Sequence, residues 1–357
     1  RRRQRQMCIR DRVFMSLKEI ARIAGTSVST VSRVLNQPDY KCKNPELESR
    51  IWAAAQEIRY TPNTAAQTLK SGISLARTEE KTMTFDIFLT RFPSLSQDLF
   101  FSELFEFLKK ELLRQQCVIG KFLTLPEVTS MLNEKSSFSA TDKHADGIIL
   151  LGKCPSELIS PLQNHYHNIV GIDRNPTDFA YDEVICNGTN AAITAMNYLI
   201  SLGHKKIAYI GDCSYEARYI GYYQSLISHS LPLDYSNIYP TSQTREEGMK
   251  TMELILQRDS LPTAIFCAND STALGVFDCL RHRRKKGYVP SIISIDNIRE
   301  SEQTKPMLTT IDIPKEEMAH HAVKLLLDRI HNGHNSAARI ELPCKLLVRE
   351  SCSISPH

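Results

Sequence analysis

The sequence contains no run of about 18 apolar residues, which excludes a helix that crosses a bilayer. Its arginine-dense opening, RRRQRQMCIRDR, leads into no apolar segment and no small-residue cleavage site, so it is not a secretory signal. Ten cysteines form no C-x-x-C pair and no metal-like Cys/His spacing. In a chain without an export signal they are expected to be reduced, mostly buried thiols, with no disulfides. Missing too are G-x-S-x-G, H-E-x-x-H, G-x-G-x-x-G and the P-loop, so nothing argues for an enzyme or a bound cofactor. Histidines gather loosely at His165/His167 and at His320/His321/His331/His334; solvated helix and loop positions account for them, and no metal is expected.

What remains is a globular composition, 42% hydrophobic and 24% charged, on 357 residues. That length suits a small domain plus one large or two medium ones. Met15 followed by Ser16, Leu17 and Lys18 reads as a natural start, which makes residues 1–14 a non-native leader; the competing reading is a basic arm that grips phosphate. The leader holds six Arg against one Asp and so accounts for the net positive charge of the chain. Residues 13–78 carry nine Lys/Arg against five acids, whereas residues 79–357 carry 29 against 34. A basic module on an acidic body suits a protein that meets a polyanion through one end only.

In residues 17–24, Leu17, Ile20, Ala21 and Ala24 fall on one helical face, with Lys18, Glu19 and Arg22 outside. Gly25-Thr26 breaks this helix, and Ser27 is an N-cap for a second one with Val28, Val31, Val34 and Leu35 inward. Asn44-Pro45 opens a third, whose Ile51, Ala54, Ala55 and Ile58 share a face. Two short helices across a glycine turn, followed by a third, make a helix-turn-helix pattern. Periodicity alone does not establish DNA binding, since a solvated polar face would look the same. The exposed side of the second helix sharpens the reading: Ser29, Thr30, Ser32 and Arg33 are side chains that can pair with base edges in a major groove.

From residue 83 the pattern becomes a β-α alternation. Strands are expected at 83–89, 118–125, 147–151, 168–172, 206–211, 263–268, 291–295 and 308–313. Helices are expected at 99–115, 189–202, 215–229, 269–282 and 315–331. Such alternation implies parallel sheets covered on both faces, here two doubly wound lobes. Ligands in these architectures sit at the carboxyl ends of strands. Asp173, Asn269 and Asp296 stand there, as residue types that exchange hydrogen bonds with sugar hydroxyls; Asn269 also stands where it would cap the following helix. RHRRKK at 281–286 reads as a solvated helix end.

SLKEIARIAGTSVSTVSRVLNQ (16–37) resembles the headpiece of the lactose/galactose repressor family, and TPNTAAQTLKSG (61–72) resembles that family's hinge. The resemblance continues through ADGIIL, GID, LGHKKIAYIGD, ANDSTALG and LTTID, in the family's order. It implies an all-α helix-turn-helix domain (15–60), a hinge helix and linker (61–80), and an α/β core (81–357) of periplasmic-binding-protein type. One lobe is expected at about 81–186 and 315–338, the other at about 187–312 and 339–357. Carried over by position, Ser27, Val28, Ser29, Thr30, Ser32, Arg33 and Asn36 would meet operator DNA; the apolar Val28 could read only a thymine methyl. Asn63, Ala66 and Leu69 would act from the hinge helix, with Leu69 wedged into the minor groove. Asp98, Phe101, Asp173, Arg218, Asn269 and Asp296 would hold the effector, with the ring of Phe101 either stacking on a sugar or packing in the core.

The resemblance thus implies a cytoplasmic homodimeric repressor whose affinity for double-stranded operator DNA is set by a small sugar or sugar phosphate, a galactoside first. The absence of a heptad tail before Pro356-His357 agrees with a dimer. The alternatives are a global catabolite or purine-type regulator with a corepressor, and, in a different class, a sugar-binding protein without DNA function.

Overall fold

The computed structural model describes residues 17–36, 40, 42, 44–58, 60, 82–133, 145–283, 285 and 287–355. Helix α1 covers residues 17–24, α2 Val28–Asn36 and α3 Pro45–Glu57. The expected stripe is buried as written: Leu17, Ile20, Ala21 and Ala24 meet Val31, Val34, Leu35, Ile51, Ala54 and Ala55 in one small core, joined by Trp52. Gly25 turns the chain with φ +65°, a left-handed conformation that favours glycine. Ser27 caps α2 by accepting from the Thr30 amide at 3.1 Å. Asn44 does the same for α3 from Glu46 and Leu47, at 3.0 and 3.2 Å.

The rest is two lobes, each built on a six-stranded sheet. In the first, the spatial order is Arg339–Glu341 (β11), Asp182–Ile185 (β5), Ile169–Asp173 (β4), Gly147–Leu151 (β3), Thr84–Leu89 (β1) and Val118–Thr124 (β2), all parallel. Its central strand β3 is apolar and buried on both faces. In β3, Ile149 and Leu151 point into one cluster while Ile148 and Leu150 point into another, as a doubly covered sheet requires. Helices α4 (Leu99–Arg114) and α11 (Lys315–Ile330) cover one side, α5 (Leu125–Asn133) and α6 (Ser156–His165) the other.

In the second lobe the order is Lys345–Leu347 (β12), Thr309–Asp312 (β10), Ser291–Asp296 (β9), Ala264–Cys267 (β8), Ile207–Gly211 (β6) and Ile238–Pro240 (β7). Only β12 runs antiparallel. Here α7 (Gly188–Ser201) and α8 (Ala217–Ser228) pack on one face, α9 (Arg245–Leu256) and α10 (Asp270–His282) on the other. The chain crosses between the lobes three times. The crossover residues Cys186, Ile313 and Leu342 belong to one apolar cluster that runs through both lobes.

One boundary differs from expectation. Residues 339–341 pair with β5 in the first lobe, the Arg339 guanidinium reaching Glu183 at 2.7 Å, so the third crossover falls after Glu341. Strands β5, β7, β11 and β12 were not expected. Each is three or four residues long, and β5 and β11 carry charged side chains met by partners distant in the chain: Asp182, wholly buried in β5, takes both Arg329 and His334, and Glu183 takes Arg339 of β11.

Candidate functional site

Two regions gather the predicted residues. In the headpiece, Ser27, Ser29 and Arg33 are exposed, and Val28, Thr30 and Ser32 are half-buried. The Ser27 hydroxyl lies 2.8 Å from those of Ser29 and Thr30, a hydroxyl cluster over the first turn of α2. The dipole of α2 favours an anion at this end, beside amides that lack intrahelical partners. Val28 leans on the headpiece core. Asn36 is the last residue of α2, with its side chain outside the described residues; Asn63, Ala66 and Leu69 also lie outside them.

The second region is the crevice between the lobes, at the carboxyl ends of their strands. Asp173 ends β4, Asp296 ends β9, Asn269 follows β8, and Asp98 caps α4 by accepting from the Phe101 amide at 3.0 Å. All four carboxylate or amide groups are buried. Burial pushes the carboxyls of Asp98 and Asp173 up, and in both Arg174 opposes the shift. Arg174 crosses the crevice to pair with Asp296, and its guanidinium lies 4.3 Å from the centre of the Phe100 ring.

Arg218, 1% exposed, is held from four directions. Its Nε donates to Glu216 at 2.8 Å, its Nη1 to the Ala268 carbonyl at 2.9 Å, its Nη2 to Gln243 Oε1 at 2.8 Å, and its amide to Glu216 at 2.9 Å. The same Gln243 oxygen accepts from Arg91 Nη1 of the first lobe, again at 2.8 Å. Further interlobe bonds run from the Ala217 amide to Asn175 Oδ1 and from the Arg299 amide to Glu103. Among the described residues three buried donors have no partner, and two of them, Arg174 Nε and Gln243 Nε2, lie in this crevice; the third is Trp52 Nε1 of the headpiece. An unsatisfied buried donor costs about 1–3 kcal/mol, and such groups mark where an external acceptor would sit.

The backbone is strained at the same place: Gln243, Asp296 and Asn297 adopt φ of +66°, +128° and +49°. Lys315 Nζ ties down the carbonyls of Asp296 and Asn297 at 2.7 and 2.8 Å. Behind them Asp270 accepts from Ser294, Thr310 and the Ile298 amide, and burial, reinforced by the charge of Asp296, pushes its carboxyl up to about 7.

Two expectations need adjustment. Phe101, 1% exposed, is a core side chain whose ring edge lies under Gly152, so it backs the crevice without offering a face to it. Asn269 is committed as a cap: its Oδ1 accepts from Thr272 N and Oγ1, and its Nδ2 donates to the Gln243 carbonyl at 3.0 Å. Sequence reasoning missed Arg91, Arg174, Glu216 and Gln243. Arg174 was legible as the neighbour of Asp173; Gln243 follows β7, a strand the sequence did not reveal. Among the described residues no group of three or more His, Cys, Asp or Glu could hold a metal ion, and no helix is long and apolar enough to cross a membrane.

Residues 16–63 match the model of the lacI family of bacterial regulatory proteins, and residues 196–352 match the periplasmic binding protein-like domain. The chain is 29% identical, over 96% of its length and 98% of the relative's, to the HTH-type transcriptional repressor PurR of Yersinia pestis bv. Antiqua (strain Antiqua). A LacI transcriptional regulator from Bacillus cereus subsp. cytotoxis NVH 391-98 is 28% identical with a TM-score of 0.67, covering 78% of this chain and all of its own. A LacI family regulator from Enterococcus faecium, solved with bound ribose, is 25% identical with a TM-score of 0.64, covering 76% of this chain and all of its own.

Proposed function

Because this chain belongs to the lacI family of bacterial regulatory proteins, we propose that it is a cytoplasmic homodimeric repressor whose affinity for a pseudo-palindromic operator is set by a sugar held between its lobes. The observation that carries the ligand reading is the pairing, in one crevice, of buried acceptors (Asp98, Asp173) with the unpartnered donors Arg174 Nε and Gln243 Nε2. A sugar hydroxyl donates and accepts at once, so a ring of hydroxyls satisfies both sets. Phe100 and Phe101 are 2% and 1% exposed, with Arg174 over Phe100, so neither offers a ring face on which a planar base could stack. The ribose bound by the Enterococcus faecium relative agrees with a sugar; a galactoside is the first candidate, from the resemblance to the lactose/galactose repressors.

Control needs only that the ligand bind one lobe arrangement better than another, a coupling of about 1–3 kcal/mol. The bonds Arg174–Asp296, Arg91–Gln243 and Ala217–Asn175 define one such arrangement, and a ligand bridging Asp173 and Arg218 would favour it. A purine-type corepressor is the second reading, favoured by the PurR relatives.

Calorimetry of the full chain against galactosides, ribose and purine bases tests the choice. Heat from a sugar, lost in Asp173→Asn, supports the first reading; heat from a purine alone moves the protein to the second.

A further inference from the structure

Among the described residues of the crevice, Arg91 is the guanidinium that no carboxylate meets. Arg174 is matched by Asp296 and Arg218 by Glu216, whereas Arg91 donates to neutral oxygens, Gln243 Oε1 at 2.8 Å and the Ser242 carbonyl at 3.0 Å. Gln243 Oε1 accepts from Arg218 as well, at 2.8 Å, so one uncharged oxygen stands between a guanidinium from each lobe. Guanidiniums only donate, which fixes the amide with its oxygen toward them and its nitrogen on the other arm of the same group. That nitrogen, Nε2, is buried and has no partner. The residue is held in this pose by its backbone, which sits at φ +66° with its carbonyl taken by Asn269 Nδ2 at 3.0 Å. An orphan donor beside an unmatched cation calls for an acceptor that carries negative charge.

We propose that Arg91 and Gln243 Nε2 form an anion subsite of the ligand crevice, so that the sugar bound there carries a phosphate or a carboxylate. This rests on the reading of the crevice as a sugar site and narrows it. Burial, with the charges of Arg218 and Arg174, holds the Arg91 guanidinium below its ordinary range, and an anion at this corner opposes that shift. The acids whose charge reaches Arg91 are engaged elsewhere: Asp98 accepts from the Phe101 amide at 3.0 Å and Asp212 from the Ser214 amide at 2.8 Å. Burial also pushes the Asp98 carboxyl up, toward its neutral form.

Arg91 belongs to the first lobe and Gln243 to the second, so the subsite is complete only with the lobes together. Arg91 is half-buried, which leaves the corner open to solvent on its side. An anion placed there offsets the repulsion between Arg91 and Arg218 and so binds the closed arrangement better than the open one, which ties the charge of the ligand to lobe closure.

The test is calorimetry of the full chain against galactose, galactose 6-phosphate and galacturonate, with ribose and ribose 5-phosphate as a second set. An anionic sugar is expected to bind about tenfold more tightly than its neutral parent, and the phosphate and acid arms tell the two sources of charge apart. In variants the readout is the ratio of the neutral to the anionic dissociation constant, which a general loosening of the lobes leaves unchanged. Arg91→Gln is expected to lower that ratio about tenfold, and Arg91→Lys to keep most of it. A neutral sugar that binds as tightly as its phosphate and its acid overturns the anion subsite and leaves the sugar reading standing, as does a ratio unmoved by Arg91→Gln. No heat from any sugar, charged or neutral, overturns the sugar reading itself.

Discussion

At the residue scale the crevice is organised by side chains that serve structure and recognition at once. Asn269 caps α10 and holds the Gln243 carbonyl, so Asn269→Ala is expected to lower stability by about 1 kcal/mol through the lost cap and to loosen the loop that carries Gln243. Chemical denaturation measures the first effect; ligand calorimetry measures the second. Asp270 gives a pH signature. Its carboxyl, pushed up by burial to about 7 from an ordinary value near 3.8, holds its proton in the folded chain where the unfolded chain has released it. The stability this contributes is complete below about pH 4 and is lost as pH rises through about 7. Unfolding midpoints between pH 4.5 and 8 should therefore fall more steeply with rising pH for the natural protein than for Asp270→Asn; parallel curves would contradict it.

At the element scale the headpiece is a separate small core tied to the first lobe through Lys110 and Glu48 at 3.2 Å and through Leu113. Ile51 is wholly buried in it. Ile51→Ala should cost about 2–5 kcal/mol and fall on the headpiece alone. Calorimetry should show the headpiece transition shifted down or lost while the core transition stays; a shift of both would mean the headpiece and core unfold as one unit.

The elements legible in the sequence were those whose pattern is local. The α1 and α2 stripes, and strands such as GIILL that are buried on both faces, announce themselves within five to eight residues. Strands β5, β7, β11 and β12 do not, because sequences such as DEVI and RIE become strand-like only when Arg329 and Arg339 neutralise Asp182 and Glu183 across the fold. The same limit applied at the site. Asp173 and Asp296 were readable as polar residues ending apolar strands, whereas Gln243 and Arg91 are brought together from opposite lobes, a juxtaposition with no local trace.

At the scale of the whole molecule the lobes are joined by a buried ion pair, Arg174 with Asp296. Leaving one partner of such a pair unmatched costs about 3–5 kcal/mol. Arg174→Met should thus shift the lobes away from this arrangement and weaken ligand by at least tenfold, measured by calorimetry, while headpiece unfolding is unchanged. The basic headpiece makes DNA affinity fall with salt, and Arg33→Ala should reduce both the affinity and the steepness of that fall.

The most direct test of ligand-controlled DNA binding is selection from a random duplex pool by the full chain, with and without a mixture of galactosides, ribose and purine bases. Enrichment of a palindrome whose retention changes at least fivefold on adding one of these ligands is the predicted result; no enrichment under either condition would contradict the account.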